Sequence, residues 1–223
     1  MSKIFCCVIV CLLTVTGYAQ TEFHVGVRTG LVLSDLKNTG GDTGTGIKAG
    51  LDAELLIKGK WVLRSGLLYS TKRNPEHTIP VFLNANDGYE QPYWMGVRLR
   101  YLELPLTFGY KIPLKEHISL IPEVGGYVAY GLNGHLELRE PIGGSGFSWN
   151  PFKDQQLQIE GFPTIKAFKR VDAGLRLGVT GRIYKFGISL YHDFGLVNIH
   201  KSFNKSGKDV RTWTTVVGVS YLL

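Results

Sequence analysis

Beyond residue 11 the chain contains no cysteine: Cys6, Cys7 and Cys11 are its only three. If the N-terminal segment is removed on export, no thiol remains. Disulfides, zinc–thiolate sites and a cysteine nucleophile are then excluded. After Ala19 there is also no run approaching the ~20 apolar residues that a membrane-spanning helix needs. A helical membrane protein is therefore excluded. Gly-rich phosphate cradles, an HExxH pair and nucleic-acid modules are missing too, and Gly40-Gly41 and Gly143-Gly144 read as loop punctuation. No metal site, no cofactor and no nucleic-acid partner is expected. No low-complexity linker or strict repeat divides the chain.

What is present begins with an export signal over residues 1–19. Lys3 is its positive end, 4–15 its apolar stretch, and Gly17-Tyr18-Ala19 places small residues at −3 and −1, with Gln20 next. Residues 20–223 read as one domain. The whole chain carries 25 basic and 18 acidic residues; losing Lys3 leaves 24 against 18, or +6. For an exported basic protein, lipid phosphates are the natural partners.

The 28 glycines and 12% aromatics suit strands and turns. The decisive pattern is period two. In 23–33, Phe23, Val25, Val27, Leu31 and Leu33 share one face, and His24, Gly26, Arg28 and Gly30 the other. The same alternation marks 47–57, 61–70, 97–110, 118–132, 170–180, 184–194 and 211–222, which makes eight strands. Connections alternate in length: 34–45, 71–96, 133–169 and 195–210 are long, whereas 58–60, 111–117 and 181–183 are short. Long loops on one side and short turns on the other are the habit of outer-membrane barrels. The apolar face must leave water, lipid can receive it, and closing the sheet removes unpaired edges. Trp61, Tyr69, Tyr110, Trp213 and Tyr221, near strand ends, are candidates for interface girdles. The expected fold is an all-β, eight-stranded antiparallel barrel in the outer membrane of a Gram-negative cell. Alternation in 135–139, 156–159 and 164–168 predicts that strands five and six continue above the membrane as a hairpin; two extra strands and a ten-stranded barrel are the alternative.

The stretch Tyr101-Leu102-Glu103-Leu104-Pro105-Leu106 resembles a strand of the PorT-like family of small outer-membrane barrels. Residues 66–70, Asp172-Ala173-Gly174 and 195–199 resemble it further, so the likeness covers nearly the whole mature chain. It implies the barrel fold and, since some members resemble parts of a protein-secretion system, an accessory role in an envelope complex. The C-terminal 216–223 is similar to the signal read by barrel-assembly machinery, with Gly218, Tyr221 and Leu223 fitting and Val216 departing from the usual polar residue.

The polar faces carry Arg28, Lys48, Asp52, Glu54, Arg64, Glu103, Glu123, Asp172 and Arg176. Four bases and five acids in a lumen just wide enough for side chains should pair into a plug. An ion path is the alternative. Arg98 and Arg100 share the lipid-facing parity near the outer end, and Lys201, Lys205 and Lys208 make the fourth loop basic. These five are candidates for contact with lipopolysaccharide phosphates. A lipid-modifying enzyme would need a His–Ser–acid set; His192-Asp193 and His200-Lys201-Ser202 are the candidates near the outer edge. Adjacent strand residues point to opposite faces, so His192 and Asp193 make a poor dyad. The expectation is a non-enzymatic protein whose partners are outer-membrane lipid, lipopolysaccharide and other envelope proteins.

Overall fold

The computed structural model of the chain describes residues 21–37, 43–82, 90–139, 146–153, 168–199 and 210–223. The predicted signal peptide lies outside the described residues. The strands are β1 (Thr21–Lys37), β2 (Gly44–Ile57), β3 (Trp61–Phe82), β4 (Glu90–Tyr110), β5 (Ile112–Lys115), β6 (Ile118–Arg139), β7 (Gly146–Trp149), β8 (Val171–Ile183), β9 (Phe186–Gly195) and β10 (Arg211–Leu222). Neighbours pair antiparallel in the order β4-β3-β2-β1-β10-β9-β8-β6, and β4 pairs with β6 to close the ring. The result is an eight-stranded barrel, as expected, with β5 and β7 as short additions to β6.

Burial is inverted relative to a water-soluble sheet. Leu31, Leu51 and Ile188 on the outer surface are 68%, 65% and 63% exposed, whereas Lys48, Glu103 and Arg176 are at most 2% exposed. A surface so apolar over a charged interior is stable only when acyl chains replace water outside. No helix among the described residues is long and apolar enough to cross a membrane; the strands make the crossing.

Aromatic rings band both ends of the lipid-facing surface. Trp61 stacks on Phe108 at 5.1 Å and meets Tyr110 edge-on at 4.9 Å, and Phe186 packs on Tyr221, all at the short-turn end. At the long-loop end Phe194 meets Trp213 at 5.6 Å. Phe186 and Phe194 are eight residues apart on β9, about 26 Å at ~3.3 Å per residue, or about 20 Å along the normal at ~40° tilt. That height suits a hydrocarbon layer.

The short turns are built locally. Lys58 and Gly59 take φ of 50° and 66°, and Lys60 N donates to Ile57 O at 3.2 Å. Positive φ at both central residues is the hairpin geometry whose twist matches the strands. The last short turn is not at 181–183, as expected, but at Tyr184-Lys185, because β8 runs on to Ile183 and pairs with Phe186.

The outer side departs from expectation more. Residues 71–96 are not a plain loop: β3 continues to Phe82, β4 begins at Glu90, and the two pair as far as Phe82 with Glu90. Residues 133–139 are a strand, but they pair with β4 and β7, not with the sixth barrel strand. The protrusion therefore belongs to β3, β4 and β6 together. Residues 156–159 and most of 164–168 lie outside the described residues. The physical reason is that β4, between two long neighbours, satisfies both of its edges above the membrane.

Candidate functional site

Of the charges on the polar faces, Arg28, Lys48, Asp52, Glu54, Arg64, Glu103, Asp172 and Arg176 are buried and Glu123 is half-buried, and the strands add Lys72, Arg182 and Asp193. Among the described residues the interior thus holds six bases (four plus two) and six acids (five plus one), a formal balance. Each addition obeys the strand alternation. Lys72 follows Arg64, Leu68 and Ser70, Arg182 follows Thr180, and Asp193 follows Ser189 and Tyr191. The first two sit where the strands outrun their predicted ends.

The charges fall into three clusters along the axis. Near the short turns, Arg64 donates to Glu54 at 2.7 Å and to Glu123 at 2.5 Å, while Arg182 closes on the same Glu54, one contact at 2.6 Å. Thr107 and Thr180 donate to Glu123, and Arg28 donates to Asp52 at 2.7 Å. In the middle, Arg176 grips Asp193 with two bonds of 2.6 and 2.8 Å and reaches Glu103 at 2.5 Å. Lys48 bridges the same two carboxylates at 2.8 and 3.3 Å. The Tyr191 ring lies 4.4 Å from the Arg176 guanidinium. Towards the outside, Lys72 donates to Asp172 at 2.6 Å, and Thr212 donates to the same oxygen at 2.8 Å. The rings of Tyr101 and Tyr127 flank this ammonium at 5.2 and 5.0 Å.

Desolvating twelve charges is costly, and only near-complete pairing offsets it. The lumen meets that demand with shared, multidentate partners. Between the first two clusters lies a void of about 10 Å³, lined by Arg28, Arg64, Glu123, Arg176, Thr180 and Tyr191 among others. The space is about the size of a single water.

An apolar cap, unforeseen from sequence, closes the outer end. Val97, Leu99, Tyr101, Tyr127, Ala129 and Leu136 from the barrel wall pack with Trp149, Phe152, Phe168, Ile199 and Val210 from the long connections. The Phe152 ring lies on Gly131, where any Cβ would collide with it, and meets Tyr101 edge-on at 5.7 Å. Arg170 lies over the same ring at 5.5 Å and donates to Gly131 O at 2.8 Å. Gly131→Val is expected to expel Phe152 and loosen the cap by about 1–3 kcal/mol, as overpacking does. Hydrogen exchange of Phe152 and Phe168 amides, faster in the variant while the barrel strands stay protected, is the readout.

Arg98 is exposed and Arg100 half-buried on the outer surface, where Arg100 donates to Asn133 at 3.3 Å. They sit just above the row Tyr69, Leu102, Tyr130, and Arg98 lies between Arg73 and His135 on the neighbouring strands. Lys201, Lys205, Lys208, His200 and Ser202 lie outside the described residues. His192 shares a 2.8 Å hydrogen bond with Thr215 and packs on Phe194 and Trp213, on the opposite side of the wall from Asp193. The pair cannot act as a dyad.

Comparison with known proteins bears on this geometry. The family described as outer membrane protein beta-barrel domain matches residues 18–201. Among curated proteins none matches the chain. Solved structures similar to it include the attachment invasion locus protein Ail of Yersinia pestis, at 12% identity and a TM-score of 0.42 over 91% of this chain and 99% of that one. Neisserial surface protein A is similar at 13% identity and a TM-score of 0.40, over 90% and 97%.

Proposed function

Because this chain belongs to the outer membrane protein β-barrel family and is integral to the outer membrane, we propose that it is a non-enzymatic interaction protein that presents a rigid β-platform to an envelope partner. The observation that carries this reading is strand length. A membrane crossing needs about 9–11 tilted residues, yet β3, β4 and β6 have 22, 21 and 22, against 13, 10 and 12 for β8, β9 and β10. One side of the barrel thus extends well past the bilayer. Among the described residues the ladder of β2 with β3 stops at Lys48 and Ser70, and Ser34 Oγ takes both backbone groups of Arg73, so it is the part of β3 beyond Arg73 that offers a strand edge on that side. Such edges recruit extended segments of other chains by backbone hydrogen bonding.

Within the family we place the chain among the PorT-like barrels, with an accessory role in a secretion or other envelope complex. The stretch 101–106 supports this, and its Glu103 is one of the two acids that Lys48 and Arg176 share. The same outer face suits lipopolysaccharide. Arg73 and Arg98 stand directly opposite each other just above the aromatic row, and like charges so placed repel unless an anion lies between them. Arg100 extends the patch.

The test shortens the platform. Replacing 74–95 by a tight turn is expected to leave a heat-modifiable, membrane-inserted barrel but to abolish co-purification of its partner from native membranes. Unchanged co-purification, or a wild-type barrel that purifies alone after mild cross-linking, contradicts the reading. The pore alternative makes a different demand. With the charges paired and the cap in place, purified protein in planar bilayers is expected to give no steady conductance; open-channel steps would favour the pore.

A further inference from the structure

The lumen is balanced, but its periplasmic mouth is not. A cavity of about 350 Å³ opens there, with Lys60, Lys111, Lys115, Arg182, His117 and Tyr184 in its walls. Strand alternation explains the convergence. Lys60 continues the inward series of Val62 and Arg64, Lys111 that of Thr107 and Gly109, and Arg182 that of Thr180. A 2.7 Å bond from Lys111 N to Lys60 O fixes the first two side by side.

Arg182 is already held by Glu54. Among the described residues no carboxylate forms an ion pair with Lys60, Lys111 or Lys115. The one acid in the wall, Glu116, is largely exposed and turned towards His117 at 3.9 Å. Three lysines thus line one cavity without an ion-paired carboxylate among the described residues, in contrast to the six-against-six balance just above them.

One wall is held in an unusual way. Tyr184 takes a φ of 53°, a conformation that tyrosine seldom adopts. Its ring stacks on His117 at 4.3 Å, and its N–H donates to His117 O at 3.0 Å. The stacked pair, with Ile118 and Pro113, adds apolar and aromatic surface to the cavity wall.

We propose that this vestibule binds an organic phosphate: a phosphoryl group on the lysines and a small apolar or sugar moiety against Tyr184 and His117. The volume lies within the roughly 300–1,000 Å³ typical of small-ligand sites. A phosphate monoester carries about −1.5 to −2 at neutral pH, which matches three lysines better than a single carboxylate does. The phosphoryl group has two possible sources, a soluble periplasmic phosphate ester or a headgroup of the inner leaflet.

The experiment uses the full barrel in zwitterionic nanodiscs and two probes. Phenyl phosphate is titrated by calorimetry, and phosphatidic acid is incorporated into the discs and its retention scored by native mass spectrometry. The comparison is a Lys60→Gln, Lys111→Gln, Lys115→Gln triple variant whose folding is checked by heat-modifiability. Saturable phenyl phosphate binding, weakened at least roughly tenfold in the variant as charge-assisted bonds are lost, supports a soluble ligand. Retention of phosphatidic acid by the wild type alone supports a lipid source. Absence of both signals, or signals of equal strength in the variant, overturns the proposal. If the triple variant fails to insert, Tyr184→Gly is the second variant, since it relieves the backbone and removes the ring; phenyl phosphate binding unaffected by it likewise overturns the proposal.

Discussion

Replacing Arg176 with methionine is expected to destabilise the barrel by about 3–5 kcal/mol, the usual consequence of stranding a buried charge. Arg176 neutralises two carboxylates at once, holding Asp193 by two bonds and Glu103 by one. Without it, both acids face Lys48 alone at 2.8 and 3.3 Å. Methionine keeps much of the volume against the Tyr191 ring, so the loss reports charge and not a cavity. The size of the effect separates two accounts. An exposed ion pair contributes at most about 1 kcal/mol, so a loss that small would mean that water reaches the cluster. The companion variant adds Asp193→Asn, leaving one carboxylate for one ammonium, and is expected to recover most of the loss. Urea unfolding in phospholipid vesicles, followed by tryptophan fluorescence, measures both. Additive losses in the double variant would contradict the charge-balance argument.

The second large effect lies on the other side of the same wall. Leu190→Arg is expected to destabilise the inserted barrel by about 2–4 kcal/mol, as a charge at the bilayer midplane does. Leu190 is half exposed and lies midway between the aromatic residues Phe186 and Phe194 of β9. Ile183→Arg, at the short-turn end of β8 beside Phe186, should cost only about 0–1 kcal/mol because the guanidinium reaches the headgroups. In a water-soluble sheet both positions would accept arginine with similar ease. Equal effects at the two sites, measured by the same vesicle unfolding, would therefore place the apolar face somewhere other than in acyl chains.

Much of this was legible in the sequence because one residue in two decides everything in a barrel wall. The alternation that places Leu31 outside also places Arg28 and Lys48 inside. The same rule contained Lys72, Arg182 and Asp193. Lys72 and Arg182 lie beyond the expected strands because strand ends are set by partners, not by pattern. β3 extends past Ser70 since β4 runs beside it, and β8 extends to Ile183 since β9 returns to meet it. Asp193 lies inside the expected strand and has the inward parity of Ser189 and Tyr191, on the other side of the wall from its neighbour His192. The outer cap lay beyond reach for a different reason. Trp149, Phe152, Phe168, Ile199 and Val210 come from separate connections without periodicity, and only the closed barrel brings them over Tyr101. Tyr184 at positive φ was equally hidden, since tyrosine gives no turn signal.

Every cysteine lies at or before residue 11, so in protein expressed from Gln20 onward single cysteines introduced along β9 are read without background. Nitroxides at Ile188→Cys and Leu190→Cys are expected to be quenched by oxygen dissolved in the bilayer and shielded from water-soluble nickel complexes. The thiol of Ser189→Cys, between them and buried, should resist both lipid-soluble and water-soluble reagents until the barrel unfolds. Nickel access at 188 and 190, or ready labelling at 189 in the folded protein, would contradict the placement of lipid outside and paired charge within.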